Sequence, residues 1–222
     1  GDFYAYQLNN GKVVSYPEGI VKENPTPKWS ASGNLPAAAA RNIKTSGWSN
    51  GSPTLLPFVY QATSSTQTDM GAVNRNLMGT FGSNELVNYL RGDRSKEGSA
   101  SNAYRKRNSV LADIINSTPV LAKDGLDAGY GSSNGYSDFL LSKANRSNPM
   151  VFVGSNGGML HAFDVATGTE QFAFVPRGVL PELYRLAQQS YALSTSSHRF
   201  YVDGPLTEAD ALLSGQWQNL LI

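Results

Sequence analysis

Cysteine is absent from all 222 residues, which removes disulfides, thiolate nucleophiles and cysteine-ligated zinc together. Core burial alone can hold a chain of this size, so the absence says nothing about compartment. Charge is the second scarcity: 16% of residues are ionic, against about 25% in ordinary domains. With 18 basic and 17 acidic side chains the formal charge is +1, and no long-range field draws the chain to nucleic acid or to an anionic membrane. No apolar run reaches the roughly 20 residues that cross a bilayer. The opening Gly1-Asp2-Phe3-Tyr4-Ala5-Tyr6 has no basic segment leading into an apolar one, so any export signal is expected outside these residues. Ser, Asn, Thr and Gly replace the missing charge, a composition that favours turns and short strands over long helices. The expectation is a mostly β fold.

The clearest strands lie between residues 150 and 175. Met150-Val151-Phe152-Val153-Gly154-Ser155, Met159-Leu160-His161-Ala162-Phe163-Asp164 and Glu170-Gln171-Phe172-Ala173-Phe174-Val175 are short β-rich runs. Asn156-Gly157 and Thr167-Gly168 between them supply the residues that tight hairpins need, which predicts a three-stranded antiparallel meander. Apolar residues on both sides of these runs predict a sheet covered on both faces. Residues 1–11 align without gaps on residues 158–168: glycine, a large apolar residue at the third position, a ring, alanine, an aromatic, an aliphatic, two turn residues, glycine. One hairpin design occurs twice, as in the radially repeated sheets of a β-propeller. The separation exceeds a blade of about 40 to 50 residues, so insertions must intervene.

Three short amphipathic helices are expected in and around those insertions. Ser83 caps a helical pattern carrying Leu86, Tyr89 and Leu90; residues 135–144 place Tyr136, Phe139 and Leu140 on one face; residues 179–188 do so with Leu180, Leu183, Tyr184 and Ala187, following. Residues 50–80 and 98–102 are polar, weakly periodic and expected as exposed loops.

These motifs have a familiar order. Ser117-Thr118-Pro119-Val120-Leu121, the run 151–164 and Thr167-Gly168-Thr169-Glu170 resemble a quinoprotein-like propeller blade. Tyr89-Leu90-Arg91-Gly92-Asp93-Arg94-Ser95, Asp113-Ile114-Ile115-Asn116-Ser117-Thr118-Pro119, the meander, Val175-Pro176-Arg177 and His198-Arg199-Phe200-Tyr201-Val202-Asp203-Gly204 follow one another as in the PilY family, with residues 35–45 a further match. That family, also called PilC in some bacteria, comprises large type IV pilus tip adhesins and biogenesis factors. The resemblance implies a partial β-propeller with short helical insertions. Residues 1–222 would be a fragment of one propeller domain, with one nearly complete blade at about 117–176, partial blades on either side, and insertions at about 50–108 and 122–148. Strand edges at residues 1–8 and 217–222 should then depend on neighbouring blades.

The resemblance also implies a function: a non-enzymatic segment of a pilus tip-associated adhesin and assembly factor. Minor pilins or other tip components would be its partners, a host-cell receptor a further one, with no nucleic acid and no direct membrane insertion. The location implied is the cell surface, pilus tip or outer membrane of a Gram-negative bacterium, reached through the periplasm. The alternative from the same blade motif is a quinoprotein-like dehydrogenase, whose chemistry needs a calcium-held quinone and a carboxylate base; many members add a vicinal cysteine pair, which this chain lacks. Asp164 reads as a hairpin-turn residue instead, and no catalytic, cofactor-binding or metal-binding residue is assigned. Calcium is expected elsewhere in the full-length protein, because Asp124-Gly125-Leu126-Asp127 is too sparse for the family's Asp-rich loop.

Five further features weigh a chemical reading against a structural one. His161 and His198 lack the spacing of a zinc motif and are expected as satisfied structural histidines. Asp203-Gly204 is expected to turn the chain after a strand at residues 200–202. Tyr104-Arg105-Lys106-Arg107 is too short a basic run for nucleic acid and is expected as a solvated face, while the many Tyr and Phe are expected in the core rather than on a sugar-binding platform. Arg91-Gly92-Asp93 is the tripeptide by which adhesive ligands engage integrins; it is the one candidate receptor-binding site, set against a reading in which Gly92 merely terminates a helix and Asp93 caps the next turn.

Overall fold

The computed structural model describes residues 1–61, 68–122, 126–191, 193 and 197–222; Asp124 and Gly125 of the rejected calcium loop lie outside them. Short strands predominate. At the N-terminus, β1 (Tyr4–Ala5) pairs antiparallel with β4 (Trp29–Ser30), and β2 (Gln7–Asn9) forms a hairpin with β3 (Lys12–Val14). Next come β5 (Ile43–Ser49) and β6 (Ser52–Pro57), helix α1 (Gly71–Leu77) and helix α2 (Asn84–Arg91). Then follow β7 (Val120–Ala122), α3 (Tyr136–Ala144), and the meander β8 (Met150–Ser155), β9 (Met159–Asp164) and β10 (Glu170–Val175). A 3-10 segment (Arg177–Ala187) leads towards the last hairpin, β11 (Glu208–Leu213) with β12 (Gln216–Leu221).

The meander appears where the turn chemistry put it. β7 joins it, making four consecutive antiparallel strands, β7-β8-β9-β10. The sheet does not stop there: β5 pairs in parallel with β10, and β6 completes the order β6-β5-β10-β9-β8-β7. Residues 50–80 are therefore not one exposed loop. They contain β6, which returns from β5 through a turn at Asn50-Gly51 (φ 50° and 79°), and α1. Pro53 and Pro57 are tolerated because β6 is an edge strand. Phe58 N donates to Ile43 O, and by the two-residue alternation of an antiparallel ladder the N positions of 53, 55 and 57 face away from β5. Two of those three outward positions have no N–H to offer another strand, so this edge resists further pairing.

Cross-strand partners share a face, and the registers put Val151, Val153, Ser155, Met159, His161, Phe163, Glu170, Ala173, Val175, Ile43 and Thr45 on one side of the sheet. That side is the core. At one end Val151, Val153 and Phe163 pack with Trp29, Ala31 and Leu111. At the other, Met159, Ala173, Val175 and Ile43 pack with Phe58 just after β6, Met70 just before α1, Leu86 and Val87 of α2, and Leu180 and Leu183 of the 3-10 segment. Ser155, His161 and Glu170 lie on the same buried face as polar residues. The opposite face carries Phe152, Leu160, Phe172 and Phe174, all half-buried.

The internal repeat is visible as a joint between its two copies. Gly11 (φ 74°) and Gly168 (φ 71°) occupy equivalent left-handed turn positions. A side chain at Gly168 would be strained by that φ and would also meet the Trp29 indole, which lies 2.5 Å from the ideal Cβ position, so glycine is required on two counts. Trp29 Nε1 donates to Val165 O at 2.9 Å and Asn34 Nδ2 to Thr167 O at 2.7 Å. Trp29 is the register partner of Ala5 in β1, so it is the strand paired with the first copy that is fastened to the second copy's turn.

Two sequence expectations need correction. The segment at residues 179–188 is a 3-10 helix from Arg177 to Ala187 rather than an α-helix, although its Leu180 and Leu183 are buried as the pattern required. Residues 200–202 form no strand; Tyr201 N is instead tied to Asn156 Oδ1 at 3.1 Å.

Candidate functional site

The polar residues of the buried sheet face converge on a cleft of 220 Å³ between the sheet, the C-terminal end of α2 and the segment at residues 107–113. Ser155, at the end of β8, and His161, on β9, face each other beside the hairpin turn: Ser155 Oγ lies 2.9 Å from His161 Nε2. The other ring nitrogen, Nδ1, lies 2.7 Å from Glu170 Oε1 on β10. Arg41, just before β5, closes the row with two bonds to the same carboxylate, Nε to Oε2 at 2.6 Å and Nη2 to Oε1 at 2.8 Å. All four side chains are buried.

Electrostatics fix the protonation of this row. Burial alone would raise the Glu170 carboxyl, but hydrogen bonds from Arg41 and His161 outweigh it and hold the pKa at about 2. Burial lowers the His161 pKa despite the pull of Glu170 in the opposite direction, so the ring is neutral. An ionised Glu170 can only accept, hence Nδ1 carries the proton and Nε2 accepts from the Ser155 hydroxyl. Protonation of either group opposes folding, because the unfolded chain binds those protons more readily. Stability is therefore expected to be full above pH 6.5, to begin falling as His161 becomes protonatable in the unfolded chain, and to fall further from pH 4.5 towards 2 through Glu170. Urea midpoints across this range measure it. A His161→Gln variant should flatten the upper part of the curve and leave the lower part.

A second polar cluster stands at the same end of the sheet. Asn156 is its hub: Nδ2 donates to Asp113 Oδ2 at 2.7 Å and its backbone N to Asp113 O at 2.9 Å. His198 Nε2 lies 3.0 Å from the same Asp113 oxygen. Asp203, expected in a turn, is buried and accepts from Asn116 N, Asn116 Nδ2 and Ile115 N. Both histidines have carboxylate partners. The positive-φ residue of the β8–β9 turn is Gly158, while Asn156 serves as a buried connector. Among the described residues no group of three His, Asp or Glu is placed to hold a metal ion. Asp164 accepts from Thr167 N and Oγ1 across its turn, at 2.8 and 2.9 Å.

The candidate receptor tripeptide sits at the end of α2. Arg91 is buried, and its guanidinium donates to Phe58 O, Ala38 O and Arg41 O, while Arg91 O accepts from Arg41 Nη1. Gly92 is the left-handed C-cap at φ 117°. Asp93 is half-buried; its Oδ1 accepts from Ser95 N at 2.8 Å, and that bond keeps its pKa below the ordinary value. At the other end, Ser83 Oγ accepts from Leu86 N at 3.0 Å, the cap expected from the sequence. A Cβ at Gly92 would lie 2.9 Å from Val110 Cγ1, so Gly92→Ala should destabilise the fold by about 1–3 kcal/mol, combining backbone strain with a clash. Asp93→Glu should shift the melting temperature little. Thermal unfolding of both variants separates the two positions.

The basic run is a correction as well. Lys106 is exposed, but Arg107 is buried: Nε bonds Glu97 Oε1 at 2.7 Å, Nη1 and Nη2 donate to Tyr89 O and Asp93 O, and the guanidinium lies 3.7 Å from the Tyr89 ring centre. Sequence reasoning missed Arg41, Glu170 and Arg107 because their partners are distant in the chain or hidden in a composition cue.

Comparison with known proteins agrees with the architecture. The family model described as PilY1 beta-propeller domain matches residues 111–222. A type IV pilus biogenesis factor PilY1 homolog of Xylella fastidiosa is 38% identical over 218 residues, covering 96% of this chain and 16% of that protein. The type IV pilus biogenesis factor PilY1 of Pseudomonas aeruginosa strain PAK is 38% identical over 208 residues, 89% of this chain and 17% of that protein. The strain UCBPP-PA14 protein of the same name is 33% identical over 231 residues, with coverage of 99% and 19%. No solved structure matches the chain. The chain thus spans less than a fifth of the length of these relatives. A mostly β chain with one wide sheet, a repeated hairpin and short helical insertions, matched over half its length by the propeller model and over nearly all of it by these relatives, belongs to the PilY1 β-propeller family.

Proposed function

We propose that this chain is a non-enzymatic section of a type IV pilus tip-associated factor, one that supports pilus assembly and attaches the cell to surfaces. Its relatives' names support the pilus part. The observation that carries the non-enzymatic part is the occupation of its polar groups: among the described residues no buried side-chain nitrogen or oxygen lacks a hydrogen-bond partner. The Ser155–His161–Glu170 row has the spacing of a hydrolase triad, but Ser155 is 0% exposed, and a nucleophile must reach its substrate. Arg41 further commits Glu170 to an ion pair. On this reading the row is a fastener between β8, β9, β10 and the chain entering β5.

Minor pilins or other tip components are the partners this reading supplies, with the protein displayed at the cell surface after export and calcium held outside these 222 residues. Arg91-Gly92-Asp93 acts in it as a helix terminator, since a receptor could reach the Arg91 guanidinium only by breaking its three carbonyl contacts. Two measurements test the proposal. A fluorophosphonate probe should leave Ser155 unlabelled, and labelling there would overturn the non-enzymatic reading. Cells deleted for the full-length gene should lose surface pili and regain them on complementation; normal piliation in the deletion strain would overturn the pilus reading.

A further inference from the structure

A second concavity of 610 Å³ lies away from the polar row, between the turn preceding α2, the end of the 3-10 segment and residues 101–104. Its apolar surface is aromatic. Phe81 stacks on Tyr184 with ring centres 3.9 Å apart and planes 6° from parallel, yet remains 54% exposed. A ring so exposed normally costs solvation, and here a second ring holds it in one orientation, leaving its outer face open. Tyr104 and the buried Leu86 form the floor.

The polar part of the lining is neutral. Among the described residues none that lines this groove is charged. Thr80, Ser101, Asn102, Gln188 and Ser190 contribute hydroxyls and carboxamides whose hydrogen-bonding groups have no partner among the described residues. Gln189 is different: its Nε2 donates to Gly98 O, Ala103 O and Tyr104 O, and so fixes the groove's wall.

This combination selects a ligand class. A phosphate, sulfate or carboxylate ligand would find no cation in the lining, since Arg185, whose guanidinium lies 5.2 Å from the Tyr184 ring centre, is already paired with Glu182, and a hydrocarbon would strand five hydrogen-bonding side chains against an apolar surface. A peptide added as a strand needs a sheet edge, whereas turns, the 3-10 segment and the start of α2 wall this groove and, among the described residues, no strand of the sheet lines it. A pyranose has what remains: a C–H face to lay on an aromatic ring and a girdle of neutral hydroxyls to exchange bonds with amides and hydroxyls. We infer that the Phe81–Tyr184 groove binds a neutral oligosaccharide, with Phe81 as the stacking platform and Asn102 and Gln188 as the hydroxyl-reading side chains. The inference rests on the groove alone and does not depend on the pilus reading.

Saturation-transfer NMR on the chain tests it with chitotriose, cellotriose and lactose as neutral probes and a heparin-derived hexasaccharide as the anionic one. Transfer to ring protons of at least one neutral sugar is expected, with none to the heparin fragment. Phe81→Ala, at an exposed position, should weaken that binding about tenfold. Gln188→Ala, also exposed, is the second variant and should weaken it without touching the aromatic stack. Silence from all three neutral sugars, preference for the heparin fragment, or unchanged binding in both folded variants would overturn the inference.

Discussion

Replacing Arg41 with methionine is expected to lower the unfolding free energy by about 3–5 kcal/mol, the cost of leaving a buried carboxylate without its counter-charge. Arg41 and Glu170 are 2% and 1% exposed at their side chains. The substitution removes both guanidinium bonds to the carboxylate, and Glu170 would keep His161 as its remaining side-chain partner. Arg41 Nη1 also holds Arg91 O at 2.8 Å, so the change loosens the end of α2. The double variant Arg41→Met/Glu170→Leu should recover part of the loss, because it removes the stranded carboxylate, while the buried His161 Nδ1–H loses its acceptor and keeps the recovery incomplete. Urea denaturation measures each. A single-variant loss below about 1 kcal/mol, typical of a surface ion pair, would show that the row does not hold the sheet.

Lys143→Met is expected to have a comparable effect by the same mechanism at the far side of the fold. Lys143 on α3 and Asp210 on β11 are both 0% exposed at their side chains and meet at 2.8 Å. Lys143 Nζ also donates to Leu126 O, and Tyr136 OH donates to Asp210 Oδ2 at 2.7 Å. An aromatic cluster of Tyr130, Tyr136, Phe139 and Trp217 surrounds the pair. Burial would raise the Asp210 carboxyl, but the Lys143 and Tyr136 bonds keep it ionised below its ordinary value. Without Lys143 that charge is stranded, at about 3–5 kcal/mol. The loss should be local, since α3 and the β11–β12 hairpin meet each other here. Hydrogen exchange should accelerate across β11 and β12 while β8 and β9 keep their protection; uniform acceleration would contradict a local fastening.

What the sequence revealed follows from the range of each interaction. The β8–β10 meander, the Ser83 cap and the faces of α2 and α3 depend on neighbours within a few residues, and the turn glycines and apolar spacing announce them. The strand β6 was hidden by its two prolines, a signal against a strand that fails at an edge; the Asn50-Gly51 turn before it was the available clue. The parallel pairing of β5 with β10 joins residues about 130 positions apart, for which a single sequence carries no sign. The polar row is illegible for the same reason, since Arg41 and Glu170 become a pair only after that pairing forms. The sequence marks His161 as a satisfied histidine, which it is, but carries no sign of its partners. A basic run predicts a solvated Arg107; the buried face of Tyr89 and the Glu97 carboxylate reverse that outcome.

The proposed function has the Ser155–His161–Glu170–Arg41 row hold the fold and perform no chemistry. Its most direct test is the number of surface pili on cells whose only copy of the full-length protein carries Ser155→Ala, scored against the amount of that protein present. The substitution removes the one hydroxyl that could act as a nucleophile and leaves the Arg41–Glu170 ion pair in place. Piliation that tracks protein abundance, as in wild type, is the expected result. Loss of pili with the variant present at wild-type abundance and melting temperature would contradict the account.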